Sequence, residues 1–254
     1  MKVLANDGIA QNAVDILNKN GFDVCLEKVD QENLIDFINL NKINVLLVRS
    51  ATQVRKNIID NCQSLKIIGR GGVGMDNIDV EYAKSNDILV INTPSASSNS
   101  VAELVFAHLF SGSRFLYDSN RNMPLEGEKN FKVLKKNYSS GIELKNKNLG
   151  IIGLGKIGLE VAKIGFGLGM NILGFDKFKT EKKIDLKFND QNDYSFRINL
   201  IKFDELLEQS DFVTLHVPAQ EKYIIGKNEF KKMKKGKAII NASRGGIIDE
   251  KELI

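Results

Sequence analysis

The chain of 254 residues is 43% hydrophobic and 27% charged, which is typical of one large or two ordinary globular domains and excludes a disordered or fibrous chain. Its net charge of +4, from 36 Lys and Arg against 32 Asp and Glu, is too small to indicate a nucleic-acid partner. There is no apolar run of membrane-span length, no signal-peptide pattern and no metal-ligand spacing at Cys25 and Cys62, so we expect a cytoplasmic protein without a membrane partner or a bound metal.

Short apolar runs alternate with amphipathic segments in the first hundred residues. This alternation predicts a parallel β-sheet covered by helices. The predicted strands are residues 3–5, 22–26, 45–48, 67–68 and 88–91, and the clearest helices are 13–18 and 34–40.

Two loops follow the third and fourth of these strands, at the edge where open α/β sheets bind ligands. The first is Arg49-Ser50-Ala51-Thr52, and the second, residues 69–79, is rich in glycine. Backbone N–H groups exposed by glycines can hold a small carboxylate, which favours a binding function. The alternative is a flexible turn in which Asp79 caps the next helix.

A proline and small polar residues at 93–100 predict a hinge between two domains, at 1–98 and 99–254. An amphipathic helix is predicted from 101 to about 118, with His108 packed inside it or facing a partner. Residues 123–144 are polar, and we predict an irregular crossing over the surface there.

The second half is organised around Gly153-x-Gly155-x-x-Gly158, which lies between the apolar run 149–152 and a segment of helical periodicity. In this setting Gly153 allows a tight turn, Gly155 lets a pyrophosphate approach the backbone, and Gly158 lets the helix pack close to the strand. The start of the helix also offers unpaired N–H groups to phosphates.

A second strand, 170–175, ends at Asp176, close to the roughly 20-residue spacing from the glycines that suits an adenosine-ribose ligand. A carboxylate there repels a 2′-phosphate, so the pattern predicts NAD rather than NADP. The alternative is an ordinary turn with an acid at the end of a strand.

Alternation at 184–188 and 194–198 predicts a small exposed hairpin after Asp176. A helix at 203–209 and strands at 212–216 and 238–241 follow, and the basic run 231–237 is interpreted as the solvated end of a helix. The two segments that follow these strands should line the nucleotide site at the edge that holds Gly153 and Asp176.

Together these segments resemble the D-isomer-specific 2-hydroxyacid dehydrogenases, most nearly the members that oxidise 3-phosphoglycerate. The resemblance rests on residues 70–79, 100–104, 150–158, 215–218 and 241–246. It implies an α/β fold of two doubly wound parallel-sheet domains with the active site in the cleft between them. One is a flavodoxin-like substrate domain, represented by its N-terminal part at 1–98, and the other is a Rossmann NAD-binding domain at 99–254 that lacks its last strands.

The resemblance also assigns residues to roles. It makes Arg244 the catalytic arginine that holds the substrate carboxylate and carbonyl. The implied cofactor-binding residues are Val73, Gly153, Gly155, Lys156, Ile157, Gly158, Asp176, His216, Val217, Pro218, Ala242, Ser243 and Arg244. The implied substrate-binding residues are Arg49, Ser50, Arg70, Gly72, Val73 and Gly74, with Arg49 and Arg70 on the phosphate. A homodimer through the nucleotide-binding domain is implied as well, using His108, Phe110 and Phe115.

The family's general base, a histidine paired with a carboxylate, has no counterpart in the chain. His108 precedes the cofactor motif and His216 lies in a cofactor-lining segment. We therefore expect the chain to be a truncated relative that binds NAD more weakly than complete family members. We also expect little or no oxidation of D-3-phosphoglycerate to 3-phosphohydroxypyruvate, a step of serine biosynthesis. The alternatives are a dehydrogenase for another D-2-hydroxy acid (glyoxylate/hydroxypyruvate or D-lactate) and a non-catalytic NAD-binding module.

Overall fold

The structure, a computed structural model, describes residues 1–188 and 192–253. The chain divides into two compact units, Met1–Ser97 and Ser98–Ile254. No helix in the described part of the chain is both long enough and apolar enough to cross a membrane.

The first unit is a parallel sheet whose strands alternate with helices along the chain. Its elements are β1 (Lys2–Ala5), α1 (Gln11–Lys19), β2 (Asp23–Cys25), α2 (Leu34–Asn41), β3 (Val45–Val48), α3 (Lys56–Asn61), β4 (Ile67–Arg70), α4 (Val80–Ser85) and β5 (Leu89–Asn92). The strand order is β2-β1-β3-β4-β5, the flavodoxin-like order predicted above. The order reverses between β1 and β3, so the loops after these two strands border the crevice where such sheets bind ligands.

Buried aliphatic side chains hold the first unit together. Strand β3 is buried at Val45, Leu46 and Val48, as expected of a central parallel strand covered on both faces. Leu34 and Ile38 of α2, one helical turn apart, are fully buried against the same core. Asp79 does not cap α4 with its side chain; its carboxylate accepts from the Lys56 N–H (3.0 Å) at the start of α3.

The second unit also has a parallel sheet. Its elements are α5 (Ser98–Arg114), α6 (Leu116–Tyr138), β6 (Asn148–Ile152), α7 (Lys156–Gly167), β7 (Asn171–Phe175), β8 (Glu181–Phe188), β9 (Asn192–Asn199), α8 (Phe203–Gln209), β10 (Phe212–Leu215), α9 (Lys227–Lys232), β11 (Ala238–Asn241) and α10 (Glu250–Leu253). The strand order is β11-β10-β6-β7, and Leu200 forms an isolated parallel bridge with Gly174 beyond β7. Read from the other edge, the order is Leu200, β7, β6, β10 and β11. If Leu200 is counted as a strand position, this corresponds to strands 3-2-1-4-5 of the Rossmann order.

Each face of the second sheet has its own core. One contains Val105 and Phe106 of α5 with Val161 of α7, and the other contains Leu206 and Leu207 of α8. Helices on both faces make the sheet doubly wound, as predicted. The basic run 231–237 spans the end of α9 and the turn before β11, which also agrees with its prediction.

The prediction of an irregular crossing at 123–144 was wrong, because α6 occupies most of that range. Helix α5 ends at Arg114 rather than near 118, and Phe115 turns the chain with a left-handed φ of 54° before α6 begins. Helix α6 contains Pro124, has a kink at Asn130, and buries only Leu134 fully. With so few core residues its apolar periodicity is weak, and that is why the pattern did not indicate a helix.

The predicted hairpin is present as the antiparallel pair β8–β9, and residues 189–191 between the two strands lie outside the described residues. It is not simply exposed, as was predicted. Ile184 and Ile198 are 2% and 1% exposed and belong to the core on the α5 face of the sheet. The rings of Phe166 and Phe196 stack with centroids 5.1 Å apart, which also fastens the hairpin to α7.

Candidate functional site

The chain passes from β6 to α7 in a turn that requires two of its three glycines for packing. Gly153 has a φ of +93°, and a Cβ there would lie 2.5 Å from the carbonyl oxygen of His216. A Cβ at Gly158 would overlap the carbonyl oxygen of Gly153. Both positions therefore exclude any larger residue whether or not a ligand is bound.

Gly155 is different, because neither packing nor backbone conformation requires a glycine there. Its φ and ψ of −73° and −162° are open to other residues, and a Cβ would meet no heavy atom within 4 Å beyond its chain neighbours. The open space lies at the amino end of α7, where Lys156, Ile157 and Gly158 have no intrahelical acceptors for their N–H groups and no side chain caps the helix. An uncrowded helix start fits the diphosphate of a dinucleotide.

Asp176, directly after β7, lies beside this turn. Its Oδ2 accepts a hydrogen bond from the Leu154 N–H (2.9 Å) and its Oδ1 accepts one from the Phe178 N–H (3.0 Å). Lys179 donates through Nζ to the Leu154 carbonyl oxygen (2.9 Å). Each carboxylate oxygen can accept more than one hydrogen bond, so the carboxylate is fixed in place with acceptor capacity left for ribose hydroxyls.

The segment after β10 approaches the same turn. The N–H of His216 donates to Ile152 O (2.8 Å), and the Val217 side chain would be 2.9 Å from a Cβ at Gly153. The His216 ring lies 2.9 Å from the Thr214 hydroxyl through Nε2, while Nδ1 is buried with no hydrogen-bond partner among the described residues. Burial lowers the pKa of His216 to about 4, so its ring is neutral at pH 7. Pro218 is exposed beyond it.

The segment after β11 is organised by Asn241, which the sequence interpretation missed. Its Oδ1 accepts from the Ser243 N–H (3.1 Å) and hydroxyl (2.9 Å), and its Nδ2 donates to Arg244 O (2.7 Å). The Arg244 Nη1 donates to Ser243 O (2.8 Å), and Ala242 packs against the α5-side core. An asparagine ending a strand just before a glycine-rich turn is a known turn signal that could have identified it.

In the first unit, Arg49 and Arg70 line one cavity of about 670 Å³ at the carboxyl edge of the sheet, with Asp7, Gly8 and Thr93. This volume lies within the range of small-molecule sites. Arg70 donates through Nε to Arg49 O (3.2 Å), and its guanidinium lies over Gly72, where a Cβ would be 2.7 Å from Nη1. Among the described residues, no carboxylate forms an ion pair with either arginine.

The other predicted substrate residues do not line this cavity. Ser50 is exposed, and Gly74 is half-buried in the glycine-rich loop. The carbonyl oxygens of Gly72 and Val73 accept from the Thr93 N–H (3.2 Å) and the Asn92 amide (2.7 Å), so these two residues secure the loop to the end of β5.

The loop 49–52 is held by residues that the sequence interpretation also missed. Asp7 accepts through Oδ2 from the N–H groups of Arg49 (2.6 Å) and Thr52 (3.2 Å), and through Oδ1 from the Thr52 hydroxyl (2.7 Å). Burial disfavours ionisation of Asp7, but these hydrogen bonds outweigh it and lower its pKa below 3.8.

Two asparagines complete this arrangement. Asn6 Nδ2 donates to the Thr52 hydroxyl oxygen (2.9 Å), and Asn77 Nδ2 donates to Arg49 O (3.0 Å) and Thr52 O (2.6 Å). The polar pair Asn6-Asp7, directly after a buried strand, was the sequence signal available for this part of the site.

Comparisons with known proteins agree with the geometry. The profile of the D-isomer specific 2-hydroxyacid dehydrogenase NAD-binding domain matches residues 106–254. D-3-phosphoglycerate dehydrogenase from Archaeoglobus fulgidus is 38% identical over 256 residues, covering 100% of this chain and 45% of that protein. Hydroxypyruvate reductase from Thermotoga maritima is 39% identical over 255 residues, covering 99% of this chain and 77% of that protein.

Among solved structures, 3-phosphoglycerate dehydrogenase from Entamoeba histolytica with bound NAD⁺ superposes with a TM-score of 0.74 at 32% identity, covering 100% of this chain and 75% of that one. The chain spans about half the length of the phosphoglycerate dehydrogenases that it resembles, 45% and 46% for the two archaeal ones. The sequence resemblance is thereby confirmed: the chain belongs to the D-isomer specific 2-hydroxyacid dehydrogenase family, and its cofactor is NAD.

Proposed function

We propose that this protein serves the NAD-dependent oxidation of D-3-phosphoglycerate to 3-phosphohydroxypyruvate, a reaction of serine biosynthesis. The observation that carries the proposal is the pair Arg49 and Arg70 in one cavity of the first unit, which we propose is the substrate domain. The names of the phosphoglycerate dehydrogenases that it resembles support the choice. NAD⁺, when bound, supplies the hydride acceptor for the C2 hydroxyl.

Charge favours a phosphorylated substrate. A guanidinium binds phosphate through two parallel hydrogen bonds, and two guanidinium groups match the double negative charge of a phosphate. Within the part of the chain that the structure describes, the Arg49 side chain makes no hydrogen bond and Arg70 uses only Nε. Their remaining donors are available to phosphate oxygens.

In the second unit we propose that Gly155 and the N–H groups of Lys156 and Ile157 receive the diphosphate and that Asp176 binds the adenosine ribose. His216, Val217, Pro218, Ala242 and Ser243 would line the cofactor. Arg244 would orient the substrate carboxylate, because the turn that Asn241 organises fixes its main chain.

Neither histidine is suited to remove the substrate proton. The His216 ring is buried, has a pKa of about 4 and engages Thr214. His108 lines a different cavity, with Asp211 and Lys237 at the amino ends of β10 and β11. A missing base typically costs about 10²–10⁴-fold in rate, so we propose that these residues bind both ligands with little turnover.

The experiment compares the native chain with Arg49→Gln. We expect phosphoglycerate, measured by calorimetry, to bind the variant about tenfold or more weakly, because a charge-assisted hydrogen bond is lost. Lys66→Gln, which neutralises an exposed lysine just before β4, is the matched control. No phosphoglycerate binding by the native chain would contradict the proposed substrate, and rapid NADH formation by it would contradict the proposed low turnover.

A second candidate substrate is unphosphorylated hydroxypyruvate, which the 39% identity to the Thermotoga maritima reductase favours. Arg49→Gln distinguishes the two, since a phosphate contact matters only for a phosphorylated acid. Equal losses of affinity for both acids would favour hydroxypyruvate.

We also propose a homodimer formed through the second unit. Helices α5 and α6 expose several large apolar side chains: Leu104, Phe110, Leu116, Tyr117, Leu125, Phe131 and Val133. The ring of Phe115, predicted at this contact, lies beside that of Tyr138, with ring centroids 6.1 Å apart. The free thiols of Cys25 and Cys62 agree with the cytoplasmic location that we propose.

A further inference from the structure

We propose that Asp7 is a positioning residue of the first unit, which holds loop 49–52 so that the Arg49 guanidinium is presented to an anionic substrate. The identity of that substrate rests on the function proposed above. The hydrogen bonds between Asp7 and the loop do not depend on which anion is the substrate.

The Asp7 carboxylate ties the two ends of the loop together. One oxygen accepts from the N–H groups of both Arg49 (2.6 Å) and Thr52 (3.2 Å), and the other accepts from the Thr52 hydroxyl (2.7 Å). Because β1 and β3 are neighbours in the sheet, an acid just after β1 meets the first residues after β3. The sheet order therefore places Asp7 within reach of the loop.

The opposite side of the loop is also fixed. Asn77 Nδ2 donates to the carbonyl oxygens of both Arg49 (3.0 Å) and Thr52 (2.6 Å), and Asn77 is 6% exposed. The same two residues are thus bound through their N–H groups by Asp7 and through their carbonyl oxygens by Asn77. The main chain of Arg49 is thus held on both sides, while no residue that the structure describes forms a hydrogen bond or ion pair with its guanidinium. This is a preorganised arrangement for binding an anion.

The negative charge of Asp7 makes this role testable, because a charge effect and a positioning effect predict opposite changes in anion affinity when the charge is removed. Asp7 lines the same cavity as Arg49 and Arg70, so by charge alone it would repel an anionic ligand. If charge were its only effect, neutralising it would tighten binding. If it positions the loop, the same substitution weakens binding, because an amide has one acceptor oxygen in place of two and cannot receive all three donors.

The experiment measures two quantities on the full chain carrying Asp7→Asn. Amide hydrogen exchange at Arg49 and Thr52 should become about tenfold or more faster, and 3-phosphoglycerate should bind about fivefold or more weakly by calorimetry. Asp7→Glu keeps the charge but moves the carboxylate, so it should weaken binding as well. Asp15→Asn, which removes one charge from exposed α1, should leave both quantities at native values.

Tighter binding by Asp7→Asn, or native exchange at both amides, would overturn the inference. If the native chain binds no phosphoglycerate, the proposed function fails, and the exchange measurement still decides whether Asp7 holds the loop. Thr52→Val, which removes one of the three donors, supplies the same comparison if Asp7→Asn does not fold, and Thr52→Ser should restore native exchange.

Discussion

The backbone N–H of Leu154 donates to the carboxylate of Asp176 at 2.9 Å, so the glycine turn itself holds the acid that follows the next strand. Two segments distant in sequence therefore form one rigid corner. The Phe178 N–H on the other carboxylate oxygen completes the orientation.

Replacing this acid should change cofactor preference. Asp176→Ser replaces a carboxylate, with two acceptor oxygens and the charge that repels a 2′-phosphate, by one shorter neutral hydroxyl. We expect NADH affinity, measured by nicotinamide fluorescence, to fall about tenfold and the NADPH-to-NADH affinity ratio to rise. Glu208→Gln on α8 is the charge-matched control, and equal losses for both cofactors would count against this role.

Gly155 and Gly158 of the turn should respond differently to alanine. Gly155→Ala adds a methyl group only to open space, so the melting temperature should stay native while NADH affinity drops about tenfold or more. Gly158→Ala places a methyl group against the Gly153 carbonyl, and we expect a loss of at least about 1–3 kcal/mol in the free energy of unfolding.

Gly167→Ala, at the end of the same helix and in open space, is the control and should leave NADH binding native. Thermal melts and fluorescence titrations check all three variants. A Gly155→Ala chain that binds NADH normally would show that the diphosphate does not lie over that residue.

The buried His216 predicts a pH dependence of stability. Its pKa is lowered from 6.5 to about 4, so between these values the unfolded chain binds more protons than the folded one. The contribution of His216 to the free energy of unfolding should therefore be greatest above pH 6.5. It should decrease by about 3 kcal/mol in total as the pH falls to about 4.

Asp7 and Asp211 contribute little in this window, because their pKa values are lowered from 3.8 and they stay ionised. Urea unfolding at several pH values measures the slope. His216→Gln can still hydrogen-bond Thr214 but does not titrate, so it should flatten the slope; a variant as steep as the native chain would refute the assignment.

The exposed apolar surface of α5 and α6 predicts a dimer that one charge can disrupt. Leu125→Glu should shift the protein to monomer in light scattering coupled to gel filtration, since a charge would be buried in the contact. Leu40→Glu is the matched control, because Leu40 and Leu125 are both 84% exposed and Leu40 lies on α2 of the first unit. A native chain that is monomeric throughout would exclude the dimer.

Elements with strong local periodicity were predictable from the sequence, and contacts between distant polar residues were not. Strands such as β3 and β6 are short apolar runs, and the glycine spacing indicated the turn before α7. By contrast, Thr52 lies 45 residues from Asp7 and Asn77 lies 28 residues from Arg49. Only the strand order brings them together, and no local pattern in one sequence encodes that order.

Helix α6 was missed for a related reason. It has Pro124 within its length and fully buries only Leu134, so neither propensity nor periodicity favoured it. Asn241 could have been found, because its turn chemistry is local.

The β8–β9 hairpin helps to restrict position 174, in the parallel sheet, to glycine. A methyl group at Gly174 of β7 would lie within 3.0 Å of Leu200, Leu154 and Ile198, which converge there from the third strand position, the glycine turn and the hairpin stem. The missing side chain at Gly174 therefore allows three separate segments to pack at one point of the sheet. A larger residue there would displace the hairpin stem and would also push aside Leu154, so a change in the middle of β7 would be transmitted to the turn that precedes α7.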